Sequence, residues 1–388
     1  MTEKLSPRAL MEKLVSFPTV SRDTNLPLID WVEEYLTAHR VGVHRMEAPG
    51  QPEKAALFAH VGPWQEGAVV LSGHTDVVPV DGQAWETDPF EVVEADGRYY
   101  GRGTCDMKGF DALAIWAMVE AQGRDLATPL QLALSYDEEV GCICPPHLIR
   151  AMDPVVPRGR IVIVGEPSMM QVVTGHKGDI GLSVHVHGFE VHSSLLHMGV
   201  SAVHEAARLI EWANQRNRQN RAAPRDEIAA LFDPPWTTTH VGTIEGGTAS
   251  NITAKDCRFF IECRTLPGAS LDDWKAEFQA FAGEVEAEMQ EVHPDARIEI
   301  SEVFKVSGLV PEEQGAAEAL TRALTGDNGT HVVSYGTEAG QFQEAGYSVI
   351  ICGPGDIAQA HQANEFLSVD QLQAGQDFMS ALLDHLSG

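Results

Sequence analysis

Residues 68–81 read AVVLSGHTDVVPVD, an apolar run that ends in a histidine and an aspartate two positions apart. The consecutive apolar residues 68–71 are typical of a strand that is buried on both faces. Residues i and i+2 of a strand share a face, so His74 and Asp76 can point together beyond the end of the strand. This stretch predicts a buried strand that delivers two polar side chains to a site at its carboxyl end.

Apolar strands and amphipathic helices alternate on both sides of this stretch. The predicted strands lie at 67–73, 130–137, 160–167 and 347–355, and the predicted helices at 8–17, 25–40, 111–123, 145–152, 311–324 and 369–386. Strands that are separated by helices favour a parallel sheet covered on both faces. The predicted fold class is therefore α/β, with a mostly parallel sheet flanked by helices.

The middle of the chain has a different pattern. Residues 179–188, DIGLSVHVHG, alternate polar and apolar side chains, as a half-exposed strand does. A strand-helix-strand-strand-helix-strand order follows to residue 306, which favours a small α+β sandwich. We expect a catalytic domain in two parts, residues 1–179 and 306–388, interrupted by an inserted lid domain at 180–305.

The composition excludes several classes of protein. The chain has 388 residues, of which 44% are hydrophobic and 21% charged, a profile typical of a globular protein. Its formal net charge of −29 repels polyphosphate, which argues against nucleic acid or an anionic membrane surface as a partner. No apolar run is long enough for a membrane span, and the N-terminal residues lack the apolar core of a signal peptide. We expect a cytoplasmic protein.

Titratable side chains follow the predicted strands of the first domain. They are His74 and Asp76, Asp106 in a Gly-rich turn, the pair Glu138 and Glu139, Glu166 in GEPS, and His361 in AQAHQANEF. Ligands of open α/β sheets bind beyond the carboxyl ends of the strands, so these side chains should converge. Histidines with carboxylates form a mixed N/O ligand set for zinc or a similar ion, and six such groups, one of them bridging, suit two ions about 3.5–4 Å apart. In the adjacent pair Glu138-Glu139, one carboxylate can bind metal while the other stays free as a base.

Simpler interpretations exist for each residue. A histidine at a strand end is often solvated, Asp106 fits turn chemistry, and Glu138-Glu139 fits an exposed acidic loop. Their shared placement at successive strand ends favours the joint site. A metal-stabilised binding protein without turnover is a wider alternative, although the complete ligand set argues against it. A dinucleotide-binding domain is another, and it lacks a G-x-G-x-x-G motif between a strand and a helix.

Seven segments together resemble a known family. They are SGHTDVVPVD (72–81), YGRGTCDMKG (100–109), SYDEEVG (135–141), VGEPS (164–168), HSS (192–194), GGTASNI (246–252) and AQAHQANEF (358–366). In this order they are similar to the zinc-dependent amidohydrolases that include aminoacylases, desuccinylases and carboxypeptidase-like exopeptidases. The resemblance spans nearly the whole chain. It implies a catalytic domain interrupted by a lid domain, through which two copies form a homodimer.

The resemblance also implies a role for each residue at the strand ends. His74 and Glu166 would hold one ion, Glu139 and His361 the other, and Asp106 would bridge two Zn²⁺ per subunit, with Co²⁺ or Mn²⁺ as substitutes. Glu138 would be the general base and acid. Asp76 would accept a hydrogen bond from the other ring nitrogen of His74 and so fix its tautomer.

In the lid, the resemblance implies contacts with the substrate. His192 would stabilise the oxyanion, reaching from one subunit into the site of its partner. Asn251 and Arg264 would hold the substrate's α-carboxylate, for which a guanidinium is chemically suited. A surface salt bridge is the alternative for Arg264.

The segments 172–178 and 336–346 are most similar to family members that deacetylate N2-acetyl-L-ornithine. The expected reaction therefore releases L-ornithine and acetate from this small molecule, a step of arginine biosynthesis. Thr337 and Glu338, in GTEAG, are candidate substrate-binding residues, with Glu338 as the partner of the substrate's ammonium group or, alternatively, a solvated loop residue. A deacylase or dipeptidase acting on another N-acyl amino acid is the alternative function.

Overall fold

The structure, a computed structural model, describes residues 3–388, so the first two residues of the predicted catalytic domain lie outside it. The helices are α1 (Pro7–Val15), α2 (Leu26–Ala38), α3 (Lys108–Ala121), α4 (Pro145–Met152), α5 (Ala202–Ala222), α6 (Leu271–Val292), α7 (Ala316–Thr325), α8 (Ala339–Glu344) and α9 (Val369–Leu386). The first strands are β1 (Gly42–Ala48), β2 (Gln51–Val61), β3 (Ala68–His74), β4 (Val93–Ala95), β5 (Arg98–Tyr100), β6 (Leu130–Ser135), β7 (Gly159–Pro167) and β8 (Val173–His176). The remaining strands are β9 (Gly178–His187), β10 (Thr238–Gly246), β11 (Asp256–Thr265), β12 (Arg297–Val306), β13 (His331–Val333), β14 (Ser348–Gly353) and β15 (Phe366–Ser368).

The chain divides into two compact units. The first, called here the catalytic unit, comprises residues up to 175 together with 309–332 and 337–388, and the second, the inserted unit, comprises 176–308 and 333–336. The inserted unit begins four residues before and ends three residues after the lid expected at 180–305. The difference arises because β9 begins at Gly178 and β12 continues to Val306.

An eight-stranded sheet forms the centre of the catalytic unit, in the order β1-β2-β6-β3-β7-β14-β8-β13. The neighbours β6, β3, β7 and β14 run parallel, whereas β1 and β2 form an antiparallel hairpin at one margin. Every residue of β3 and β6 is buried, as their apolar sequences require. The predicted α/β class with a mostly parallel sheet is confirmed.

Helices cover this sheet with apolar faces. Almost all of α3 is buried, because it packs against β3 and β6 on one side and against α1 and α9 on the other. At the start of α1, the Ser6 hydroxyl accepts the N–H of Ala9, and Pro7 occupies the first turn. These are the N-terminal signals that the sequence predicts.

A small three-stranded sheet, β15-β5-β4, lies in the same unit. It pairs Phe366 with Tyr100 and thereby joins the segment after His361 to the segment before Asp106. Two stretches that are about 260 residues apart in sequence are thus fixed side by side.

The inserted unit has its own antiparallel sheet, in the order β10-β11-β9-β12. Alternate residues of β9, from Ile180 to Val186, are buried with those of β11 in a separate core beneath α5 and α6. The other face of the sheet carries the polar residues of the alternating pattern. The predicted separate α+β sandwich is confirmed. Among residues 3–388, no helix is both long enough and apolar enough to cross a membrane.

Candidate active site

Six of the predicted side chains converge at the carboxyl ends of the central parallel strands. His74 is the last residue of β3, Glu138 and Glu139 follow β6, Glu166 lies near the end of β7, Asp106 precedes α3, and His361 follows β14. Because β3 pairs in parallel with both β6 and β7, the three strands end at one edge of the sheet. This edge is where the sequence places the site.

One half of the site surrounds His74. Its Nε2 lies 3.1 Å from Asp106 Oδ1, 3.7 Å from Glu166 Oε1 and 4.0 Å from Glu138 Oε2. His74, Asp106 and Glu166 are buried. Among the described residues, Glu166 Oε1 has no hydrogen-bond partner, although it is shielded from solvent. A buried carboxylate oxygen without a donor fits a position occupied by a cation.

The other half surrounds His361. Its Nε2 lies 2.9 Å from Glu139 Oε2 and 3.2 Å from Asp106 Oδ2, and its ring is half exposed. Asp106 thus directs one carboxylate oxygen at each imidazole. That arrangement suits a carboxylate shared by two cations.

The charges of the cluster require compensation. Burial raises the pKa of Glu138 to about 8 and that of Glu139 to about 7, and it raises the pKa of Glu166 as well. Burial acts on Asp106 in the same direction, but hydrogen bonds from His361 and His74 outweigh it and lower that pKa. Four carboxylates beside two imidazoles carry up to four negative charges, which two divalent ions would neutralise. The donor set, two imidazoles and four carboxylates, fits zinc and similar ions.

Asp76 acts on His74 in a different way from the one expected. The ring nitrogen Nδ1 of His74 donates to the backbone carbonyl of Asp76 at 2.9 Å, whereas the Asp76 carboxylate is 3.7 Å away. The carboxylate instead accepts the hydroxyl of Ser21 at 2.7 Å and the backbone N–H groups of Glu138 and Glu139 at 3.2 and 3.3 Å. Because a backbone carbonyl fixes the tautomer, Nε2 of His74 remains free to bind a metal. The carboxylate of Asp76 holds the acidic loop.

The residues that support the ligands were not predicted from the sequence. The Glu365 carboxylate is buried, and its Oε1 accepts the backbone N–H groups of Gly103, Cys105 and Asp106, each at 3.0 Å. Its Oε2 accepts Nη1 of Arg102 at 2.6 Å. Glu365 therefore holds the turn that presents Asp106, four residues after His361. Its position in the NEF segment could have signalled a role, but its partners are about 260 residues away.

The thiol of Cys142 supports the acidic pair. It donates to Glu138 Oε1 at 3.1 Å, and burial holds the pKa of the thiol well above its usual value. The thiol therefore stays protonated as a donor. In the same loop, the buried ammonium of Lys54 contacts the Asp137 carboxylate and the carbonyl of Ser21. These contacts fix the loop that carries the acidic pair.

The positions of Thr337 and Glu338 differ from those expected of substrate-binding residues. Both are only 1% exposed. The two carboxylate oxygens of Glu338 accept the hydroxyls of Ser72 and Ser135 at 2.6 and 2.8 Å, and the Thr337 hydroxyl accepts the N–H of Ala339. The prediction that Glu338 meets an ammonium group is therefore wrong for this conformation, because its oxygens connect α8 to β3 and β6.

The remaining predicted site residues belong to the inserted unit. His192 is exposed, and its Nδ1 lies 2.9 Å from the Ser194 hydroxyl. The backbone carbonyl of Asn251 accepts the N–H of Ser193, so the segments that carry Asn251 and His192 are adjacent. Arg264 pairs with Asp179 at 3.1 Å and Glu262 at 3.0 Å, which matches the salt-bridge alternative.

The chain is similar in sequence to known proteins. Residues 70–385 match the model of Peptidase family M20/M25/M40. An acetylornithine deacetylase of Myxococcus xanthus is 34% identical, over 98% of this chain and 97% of its own length. Another, from Pasteurella multocida, is 30% identical over 95% of both chains.

Solved structures share the fold. An M20 family metallo-carboxypeptidase of Sulfolobus solfataricus, Sso-CP2, superposes with a TM-score of 0.77 at 15% identity and covers 100% of this chain and 99% of its own. The Bacillus subtilis YXEP protein, a dinuclear metal-binding peptidase from the M20 family, has a TM-score of 0.61 at 14% identity, with 98% and 97% covered. At these identities the likeness concerns the fold.

Proposed function

The chain belongs to Peptidase family M20/M25/M40 and is a hydrolase, and we propose that it cleaves the amide bond of N2-acetyl-L-ornithine to give L-ornithine and acetate. The observation that carries the proposal is the convergence of His74, Asp106 and His361 with the acidic pair at one edge of the sheet. The two deacetylases similar to this chain over nearly its full length support the choice of substrate. A place in arginine biosynthesis follows from that substrate.

The proposed cofactor is a pair of zinc ions, for which Co²⁺ or Mn²⁺ could substitute. His74 and Glu166 would hold one ion, Glu139 and His361 the other, with Asp106 between them. Bound there, such ions supply Lewis acidity, which polarises a carbonyl and lowers the pKa of water. The unpartnered oxygen of Glu166 supports this assignment.

Glu138 is the proposed proton carrier. Its Oε2 faces the cluster 4.0 Å from His74, while its Oε1 is held by the thiol of Cys142. The carboxylate takes a proton from the attacking water as the bond between the water oxygen and the acyl carbon forms. It returns this proton to the amine nitrogen as the carbon–nitrogen bond breaks. The Asp76 carboxylate keeps Glu138 in place by accepting its backbone N–H.

His192 is the proposed donor to the developing oxyanion. Its imidazole is exposed, so it remains available to a ligand, and its Nδ1 is turned toward Ser194. The opposite ring nitrogen would donate the hydrogen bond. This role is the same if the imidazole acts in its own subunit or in the partner's. Removal of the imidazole should therefore lower kcat more than it changes KM.

A homodimer through the inserted unit is also proposed. Large apolar side chains are exposed there, including Leu195 (45%), Leu196 (47%) and Met198 (55%). Phe189 and Ile252 are partly exposed as well, and backbone bridges bring their segments beside the short 3₁₀ helix Ser193–Met198, which carries these three residues. Contiguous apolar surface of this kind is typical of a protein interface.

A substrate comparison tests the proposed function. Zinc-reconstituted protein is supplied in turn with N2-acetyl-L-ornithine, N-acetyl-L-methionine and a dipeptide, and the release of the free amine is followed. We expect the highest kcat/KM with N2-acetyl-L-ornithine. Preference for the uncharged acyl amino acid would replace the substrate assignment, and preference for the dipeptide would make the chain a peptidase.

A further inference from the structure

A second group of metal-binding side chains lies on the inserted unit, on the sheet face opposite α5 and α6. His185 and His187 are two positions apart on β9, so their side chains share this face. In the register of the sheet, Asp256 of β11 lies opposite His187, and Glu299 of β12 lies opposite His185. Two imidazoles are therefore flanked by a carboxylate on each neighbouring strand.

The side chains are close enough to share one ion. The two imidazole rings have centroids 3.6 Å apart. Glu299 Oε2 lies 3.1 Å from His187 Nε2 and 3.9 Å from His185 Nδ1. One ligand atom from each of His185, His187 and Glu299 lies within 4.8 Å of the others. Ligands about 2.0–2.2 Å from a tetrahedral ion are about 3.3–3.6 Å apart, a value within the observed range.

The other hydrogen bonds of these residues leave the same three atoms directed at one another. Within residues 3–388, His187 Nε2 is shielded from solvent and forms no hydrogen bond. Arg297 Nε donates to Glu299 Oε1 at 2.9 Å, which leaves Oε2 directed at the imidazoles. His185 Nε2 lies 2.8 Å from Asp256 Oδ1, and a proton on Nε2 leaves Nδ1 as a lone-pair donor. A carboxylate that orients a histidine from behind is a recurrent feature of metal sites.

We propose that His185 Nδ1, His187 Nε2 and Glu299 Oε2 form a further binding site for a divalent transition-metal ion of the zinc type, separate from the active site. Asp256 is its positioning residue. Three protein ligands leave the fourth tetrahedral position to water. Bound metal would connect β9 to β12 and stabilise the inserted unit, since a ligand that binds only the folded state favours that state. Simple ion pairs between the histidines and carboxylates are the alternative.

Zinc stoichiometry tests the proposal. Purified full-length protein is equilibrated with Zn²⁺ in competition with a chromophoric chelator, and bound zinc is counted for the wild type, H187Q and H240Q. His240 lies on β10 of the same sheet and serves as the matched control. We expect H187Q to bind one zinc fewer per chain than the wild type, with unchanged turnover, while H240Q binds the full number. Equal zinc in H187Q and the wild type would overturn the proposal, as would an equal loss in H240Q.

A second variant tests the role of Asp256. D256N should keep the stoichiometry at saturating Zn²⁺ but weaken this one site by about 10- to 100-fold, because the carboxylate behind His185 is lost. An unchanged affinity would contradict the ligand arrangement. Because these measurements count bound metal, they do not depend on the proposed deacetylation.

Discussion

Two adjacent glutamates of the candidate site, Glu138 and Glu139, have different partners. Glu139 faces His361, whereas Glu138 faces His74 and is held by the Cys142 thiol. Sequence alone identified the pair, because it follows an apolar strand in a segment similar to a known family. It could not identify Ser21 and Cys142 as their supports, since hydroxyls and thiols carry no distinctive pattern and Ser21 lies far away in sequence.

Replacement of Glu138 tests this division. In E138Q the side chain keeps its size but cannot accept a proton, so we expect kcat to fall by about 10²–10⁴-fold or more while bound metal is nearly unchanged. Steady-state kinetics and metal analysis of the same sample measure both quantities. The exposed Glu344 offers a matched control as E344Q, which should behave like the wild type. Near-normal turnover of E138Q would rule out its role as the base.

At the scale of secondary-structure elements, the apolar runs predicted the central strands and their helices correctly. The hairpin of β1 and β2 was missed, because GVHRMEA (42–48) mixes polar and apolar residues at the margin of the sheet. The strands β4, β5 and β15 have three residues each, too few for a periodic pattern. These short strands nevertheless join the His361 segment to the Asp106 segment, so part of the site's support was not predictable.

The contribution of the buried Glu365–Arg102 pair to stability can be measured. E365A removes the acceptor of three backbone N–H groups and leaves the buried Arg102 charge unpaired. We expect the free energy of unfolding to fall by about 3–5 kcal/mol in urea titrations. The exposed pair Arg124–Asp384 is the control, and D384N should cost less than about 1 kcal/mol. Equal effects of the two variants would show that Glu365 does not hold the turn.

Asp179, on β9 of the inserted unit, should make the free energy of unfolding depend on pH. This side chain is 6% exposed, and burial raises its pKa to about 7 despite the opposing charge of Arg264, with Glu262 raising it further. A carboxyl pKa above the unfolded value stabilises the fold at low pH, and this contribution is lost as the pH rises from about 4 through 7.

D179N lacks that titration. Relative to the wild type, the free energy of unfolding of D179N should therefore increase between pH 5 and pH 8, as measured by denaturant unfolding at both values. The exposed Asp272 provides the comparison as D272N, for which the difference from the wild type should stay nearly constant. A constant difference for D179N as well would exclude Asp179 as the titrating group.

For the molecule as a whole, the proposed homodimer can be tested by changing the exposed apolar patch around Leu196. A charge placed in the exposed apolar patch should oppose association, because burying an unpaired carboxylate is unfavourable. We expect light scattering to give a dimer mass for the wild type and a monomer mass for L196D. Val303 is exposed to a similar extent on β12, and V303D should remain dimeric. A wild type that is monomeric at all concentrations would contradict the proposed dimer.

Metal-dependent deacetylation is measured as acetate release from N2-acetyl-L-ornithine. The protein is assayed as the zinc-reconstituted form, after removal of metal with a chelator, and after zinc is restored. We predict a turnover in the ordinary enzyme range, roughly 1–10³ s⁻¹, that disappears with the metal and returns with it. Turnover that persists in metal-free protein, or no acetate release from the zinc-loaded protein, would contradict the claim.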